Sequence, residues 1–132
     1  MARETDRLRR YLDDEIEGCR SEDVERRLDE LETLDTALGE AHLGAELDVL
    51  SALANETRYR LVRTLVAAGE ELCVCELQSV VDVTESGLSH ALSALAEAGL
   101  VDGRKEGRWK KYRATNRAVA LVTVLDGCVS DE

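Results

Sequence analysis

The chain has 132 residues, 44 % of them hydrophobic, which is enough for one compact domain with an appendage and excludes two independent cores. Its formal net charge of −11 is opposite in sign to that of most nucleic-acid-binding proteins. The acidity, the preference for Arg over Lys and the lack of Phe suggest a halophilic, high-salt cytoplasm; the alternative is an acidic arm fused to an ordinary domain.

Residues 1–45 are predicted to form an acidic helical arm that precedes the domain proper, residues 46–132. We expect two amphipathic helices in the arm, separated at Gly18 and ended by Gly39. The apolar stripe of the second helix is narrow, so this helix either packs on another element or remains a solvated arm. No apolar stretch follows the charged start, which predicts a cytoplasmic protein without a signal peptide. The stripes comprise Leu8, Leu12 and Ile16, and then Val24, Leu28, Leu31, Leu34 and Leu38.

Three helices are predicted in the first half of the domain. The first covers residues 56–68, with Asn55 as its cap. A short helix over residues 74–81 and a longer one over residues 84–98, closed by Gly99, follow on either side of a tight turn. Two helices arranged around such a turn are typical of a helix-turn-helix.

The second helix of the helix-turn-helix has one apolar and one small polar face. Leu88, Ala91, Leu92 and Leu95 recur at helical spacing and are expected in the core. The polar residues of its outward face are small enough for the helix to enter a DNA major groove and reach the base edges. The candidate DNA-binding residues on this face are Ser86, Ser89, His90 and Ser93.

A β-hairpin and a closing helix complete the predicted fold. Residues 100–103 and 109–114 flank a glycine-containing turn, and residues 104–117 contain seven basic residues and one acidic residue. The order of elements predicts a mainly α, winged helix-turn-helix protein. The longest apolar run, residues 118–125, is too short to span a membrane. The candidate phosphate-binding residues of the wing are Arg104, Lys105, Arg108, Lys110 and Lys111.

Three strings in this order closely resemble the arsenic-repressor (ArsR/SmtB) family: residues 53–58, residues 70–77 around Cys73 and Cys75, and residues 99–108. The resemblance covers roughly residues 47–117. It implies a homodimer that is held by its first and last helices, binds a palindromic double-stranded operator as a repressor, and is released by an inducer.

Cys73 and Cys75 are the candidate ligands of that inducer. Residues two apart on a regular helix point about 200° away from each other, so both thiols can hold one ion only where the backbone is extended or frayed. The pair lies at a predicted helix start, where such a conformation is available. Two thiolates suit a thiophilic metal or metalloid ion, of the arsenite and antimonite type or the cadmium and lead type.

A third thiol would complete the coordination of such an ion. The arsenic-type pattern of the family places a Cys three residues after Cys75, where this chain has Gln78. Cys19 follows a helix break in the arm and is the first candidate, from the other subunit, as the resemblance to the cadmium-sensing branch implies. Cys128, in the last helix, is the weaker candidate. The alternative is a two-thiol site completed by water, by a carboxylate such as Glu76, or by nothing.

Other functions are also considered. An enzyme is not predicted, because the chain has no nucleophile and base arrangement and no glycine motif that cradles phosphate. One alternative is a redox sensor on the same fold, in which oxidation of Cys73 or Cys75 replaces metal binding. Another is an interaction module that no longer binds DNA, although such a module would give the basic wing no purpose.

Overall fold

The computed structural model describes the backbone of residues 2–130 and the side chains of residues 5–127. The chain divides into two compact units, the first ending at Leu43 and the second beginning at Gly44. The first unit contains helices α1 (Ala2–Glu15) and α2 (Ser21–Leu38), and helix α3 (Glu40–Leu53) begins near its end.

In the first unit, the two predicted arm helices form with Gly18 between them and Gly39 at the end of the second. Leu12 of α1 and Val24 of α2 are buried. The rest of the predicted α2 stripe is exposed. The exposed residues are Leu28, Leu31, Leu34 and Leu38.

The second unit continues with helix α4 (Glu56–Ala68), strand β1 (Leu72–Cys73), helix α5 (Val74–Gln78) and helix α6 (Glu85–Glu97). Strands β2 (Val101–Glu106) and β3 (Trp109–Ala114) and helix α7 (Asn116–Ser130) follow. Leucines from α4, α5 and α6 and the start of β2 enclose one hydrophobic core. Its largest fully buried members are Leu61, Val62, Leu65, Leu77, Leu88, Leu92, Leu95, Leu100 and Val101.

Polar caps and glycines set the helix ends of this unit, and Asn55 and Gly99 are those that the sequence predicts. The Asn55 side chain accepts a hydrogen bond from the Arg58 amide at 3.0 Å, and Thr84 does the same for Gly87. At the end of α6, the Leu100 amide donates to the Leu95 carbonyl after Gly99, which closes the helix in a Schellman arrangement.

Helix α5 is shorter than predicted. The sequence predicts a helix over residues 74–81, whereas the helix ends at Gln78. The Ser79 hydroxyl donates to the Glu76 carbonyl at 2.6 Å, and the Val80 amide bonds only three residues back, to Leu77. These contacts satisfy the last carbonyls and stop the helix. The following turn then leads directly into α6.

The three strands form one antiparallel sheet in the order β1-β3-β2. Strands β2 and β3 make the predicted hairpin, joined by Gly107 and Arg108, and Gly107 has φ +63°. A two-residue hairpin turn of this kind needs positive φ at its first central position, which Gly supplies without strain. Strand β1, which periodicity did not predict, adds Leu72 opposite Tyr112 and Cys73 opposite Lys111.

Helix α7 closes the described chain. Its Ala118 and Val122 are buried against the core, while Val119, Val124 and Leu125 are exposed. In the described part of the chain, no helix combines the length and apolar character needed to cross a membrane.

Candidate thiol site and nucleic-acid interface

The backbone brings Cys73 and Cys75 together. Cys73 ends β1 and is the N-cap of α5, with φ −70° and ψ 149°, so it has the extended conformation that two converging thiols require. The Cys75 amide donates to Cys73 Sγ at 3.4 Å, and the Cys75 thiol donates to the same sulfur at 2.9 Å. Both side chains therefore point toward the same volume.

The hydrogen bond between the two thiols separates their acidities. It lowers the pKa of Cys73, because the Cys75 S–H stabilises the Cys73 thiolate, while burial and the charge of Glu76 oppose this effect. The same hydrogen bond is the main cause of the raised pKa of Cys75. Of the two thiols, Cys73 is therefore the one that loses its proton first.

The thiols open into a groove of about 530 Å³ that lies between α5, α6 and β3. The groove is lined by the two sulfur atoms, by residues of α6 and by residues of the β2–β3 hairpin, which is the wing. Its lining includes Cys73, Cys75, Gln78, Glu85, Ser89, Leu92, Arg108, Trp109, Lys110 and Tyr112. Among the residues that the structure describes, no three His, Cys, Asp or Glu side chains come together in a way that could hold a metal ion.

The positions considered for a third thiol are those of Gln78, Cys19 and Cys128. Gln78, at the position of the missing third Cys, donates its amide to the Val83 carbonyl at 2.6 Å and so stabilises the turn before α6. Cys19 is half-buried between α1 and α2, where burial, followed by the nearby Asp13, raises its pKa. The side chain of Cys128 lies outside the described residues.

The predicted recognition surface of α6 is exposed. Its core-facing residues Leu88, Leu92 and Leu95 are fully buried, which fixes the rotation of the helix. The opposite face is accessible along its length, and its members are Ser86, Ser89, His90 and Ser93.

The five basic residues predicted on the wing fall into two groups. Arg104 makes two hydrogen bonds to Glu71, at 2.6 and 2.7 Å, and Lys111 lies 2.8 Å from Glu106. Arg108 stacks on the Trp109 ring at 5.0 Å, and Lys110 lies 5.5 Å from the Tyr112 ring. No carboxylate of the described residues is within ion-pair distance of the exposed residues Lys105, Arg108 and Lys110.

Sequence reasoning missed the acidic partners Glu71 and Glu106 and the aromatic supports Trp109 and Tyr112. Arg104 and Glu106 are two residues apart on β2, so their side chains lie on the same face of the strand. Their ion pair was therefore detectable from the sequence once β2 had been predicted over its full length. The partnership of Glu71 with Arg104, 33 positions apart, left no local signal.

Comparison with known proteins supports the same fold. A family model described as a helix-turn-helix domain matches residues 53–104. A relative from Halobacterium salinarum that bears the name arsenical resistance operon repressor ArsR is 58 % identical over 123 residues, covering 93 % of this chain and 95 % of the relative. Its source agrees with the high-salt interpretation of the acidic composition.

Solved structures give the same result. HlyU from Vibrio cholerae superposes with a TM-score of 0.61 at 30 % identity and covers 70 % of this chain and 99 % of its own. The homodimeric winged helix-turn-helix DNA-binding domain of a Mycobacterium bovis protein, described as a possible ArsR-family regulator, gives 0.60 at 30 % identity, with coverages of 72 % and 86 %. The predicted winged helix-turn-helix and the predicted family are therefore confirmed: this chain belongs to the ArsR family of DNA-binding transcription regulators, which are not enzymes.

Proposed function

We propose that this protein is a homodimeric repressor that leaves its operator DNA when a trivalent metalloid hydroxide, arsenite or antimonite, binds Cys73 and Cys75. The observation that carries the proposal is the 2.9 Å approach of the two sulfur atoms in a groove shared with α6 and the wing. An ion bound there lies beside the residues that would contact DNA.

DNA binding follows from the exposed faces of α6 and the wing. The small polar side chains at Ser89 and His90 have access to base edges in a major groove. Lys105, Arg108 and Lys110 have access to phosphates on either side of it. The homodimer is supported by the exposed apolar residues Val124 and Leu125 of α7 and by the homodimeric Mycobacterium domain.

The groove suits a neutral metalloid hydroxide. Arg108 and Lys110 repel a cation such as Cd²⁺, whereas Glu85 in the same lining and Glu76 beside Cys73 attract it, so the fixed charges largely cancel and give a divalent cation no electrostatic advantage. Arsenite is the neutral species As(OH)₃ near pH 7, and each thiol that it binds releases one water: As(OH)₃ + 2 RSH gives (RS)₂AsOH + 2 H₂O. Binding Cd²⁺ through two thiols releases two protons instead.

The spacing of the sulfur atoms fits this chemistry after a small movement. Two thiolates bonded to one ion at about 2.3 Å lie roughly 3.4–3.8 Å apart, depending on the bond angle. The sulfur atoms are 2.9 Å apart in this structure, so one bound ion requires about 0.5–0.9 Å more between them. The third position on the ion remains for hydroxide or, as we propose, for Cys19 of the partner subunit.

The test is release of a labelled promoter fragment, followed by fluorescence anisotropy. Arsenite should release DNA from the wild type and from Cys128→Ser, which retains Cys73 and Cys75, but not from Cys73→Ser or Cys75→Ser. All variants should bind the fragment alike without arsenite. Footprinting on the protein's own promoter identifies the operator. Normal release in both groove variants would remove metalloid sensing from these thiols.

A redox sensor is the second candidate, and the same 2.9 Å distance favours it. One hydrogen peroxide accepts the two thiol hydrogens, giving a Cys73–Cys75 disulfide and two waters. Release of DNA by arsenite under strictly anaerobic conditions supports the metalloid proposal. Release only when peroxide is present would favour the redox sensor.

A further inference from the structure

The segment that carries Cys73 is tied to the far strand of the wing. Glu71 precedes β1, and its two carboxylate oxygens accept hydrogen bonds from Nε and Nη2 of Arg104 at 2.6 and 2.7 Å. Arg104 belongs to β2, which is separated from β1 by β3. The contact therefore reaches over the central strand of the sheet. Its paired, planar geometry is the most directional form of a charged hydrogen bond.

The backbone register places this contact beside the thiol site. Cys73 is opposite Lys111 in β3, and Lys111 is opposite Arg104 in β2. The Glu106 carboxylate joins the last two residues, at 2.8 Å from Lys111 and 3.3 Å from Arg104. One row of the sheet thus runs from the sensing thiol to the basic wing.

Strand β1 alone holds the wing weakly. It is only two residues long and contributes two residue pairs to the sheet. A shift of Cys73 could therefore be absorbed by fraying β1 from β3, which would leave the wing where it was. The paired hydrogen bonds between Glu71 and Arg104, called the fork below, oppose this, because they join the residue before β1 to the strand on the other side of β3.

We infer that Glu71 and Arg104 are positioning residues that couple ion binding at Cys73 to the orientation of the wing. The inference rests on the proposed function and adds its route of regulation. Separation of the sulfur atoms on binding moves the end of β1, and the fork carries that movement to β2. The wing orientations with and without the bound ion then differ in their affinity for the ion. Coupling between the ion site and the DNA site requires this difference. Arg104 is consequently bound to Glu71 rather than to DNA. The phosphate contacts are made by the cations without a carboxylate partner among the described residues, Lys105, Arg108 and Lys110.

The chain supplies a matched control. Asp102 and Arg113 form another ion pair between β2 and β3, at 3.4 Å, and neither residue belongs to the segment that carries the thiols. Both pairs include an arginine of the wing that is more than half exposed. Asp102→Asn thus removes one wing ion pair, as Glu71→Gln does, without cutting the link to Cys73.

The experiment measures two quantities on the full chain. Arsenite affinity is read from the ultraviolet absorbance of the thiolate–arsenic bond, without DNA. The coupling ratio is the operator Kd at saturating arsenite divided by the operator Kd without it. Glu71→Gln should change arsenite affinity by less than about threefold, whereas its coupling ratio should fall toward 1 from a wild-type value in the roughly 5–150-fold range of typical allosteric couplings. Asp102→Asn should keep the ratio within about twofold of wild type.

A charge-reversed variant separates coupling from simple damage to the wing. Glu71→Arg combined with Arg104→Glu restores an ion pair, so it should recover most of the coupling ratio that either single change removes. An unchanged ratio in Glu71→Gln, with arsenite bound, overturns the inference and leaves the proposed function standing. A wild type that shows no arsenic absorbance overturns the proposed function itself.

Discussion

The two groups of wing cations lead to a quantitative prediction about salt. Lys105, Arg108 and Lys110 are free to meet phosphates, whereas Arg104 and Lys111 are engaged by Glu71 and Glu106. Each phosphate neutralised on double-stranded DNA contributes about −0.9 to the slope of log K against log salt. Three free cations in each subunit of the proposed dimer therefore give a slope of about −5, whereas all five would give about −9.

Differences between variants isolate this effect from the acidic remainder of the protein. Lys105→Gln removes two phosphate contacts per dimer and should make the slope shallower by about 1.8. The matched control combines Lys111→Gln with Glu106→Gln, which removes an existing ion pair without changing the net charge. We expect less than half of that change in the control.

The assay is a fluorescence anisotropy titration of one operator fragment at KCl concentrations that span a decade. Each protein is measured on the operator and on a random duplex, since phosphate contacts affect both alike. A change of about 1.8 in the control would mean that Lys111 leaves Glu106 to bind phosphate. That result would refute the division of the wing into paired and free cations.

Three further predictions concern the thiols and the core. Cys75→Ala should raise the pKa of Cys73, because it removes the S–H donor. The pH midpoint of Cys73 alkylation by iodoacetamide should therefore move upward. An unchanged midpoint would contradict the role of that hydrogen bond. Cys19→Ser should weaken arsenite binding and its ultraviolet absorbance if the partner supplies the third thiol, and equal affinity would assign that position to hydroxide. Leu92→Ala should lower the free energy of unfolding by about 2–5 kcal/mol, because Leu92 is 1 % exposed. The measurement is urea unfolding at the salt concentration of the binding assays. A loss below about 1 kcal/mol would contradict its place in the core.

Much of the fold was predictable because the ends of its helices are set by residues at those ends. Asn55 before α4, and Gly39 and Gly99 after α2 and α6, mark helix ends through their own backbone chemistry. The apolar spacing of α6 fixed which face is buried and hence which is exposed. The family resemblance added the order of elements around them.

The site itself was only half predictable. Periodicity needs at least four residues to indicate a strand, and β1 has two. The need for an extended backbone at Cys73 was nevertheless evident from the thiol spacing alone. The fork between Glu71 and Arg104 depends on the three-dimensional pairing of β1 with β3, which has no counterpart in local sequence. The exposure of the α2 leucines likewise depends on tertiary packing.

An acidic protein can bind DNA if its charges act over different distances. The basic excess is confined to residues 104–117, while the arm and residues 118–132 each carry a net negative charge. At about 1 M salt the Debye length is near 3 Å, so repulsion between DNA and acidic groups outside the interface is screened, while contacts at hydrogen-bond distance persist. The free cations of the wing then act almost independently of the net charge of −11. At low salt the repulsion returns, and we therefore expect the acidic surface to flatten the salt dependence that the wing alone would impose.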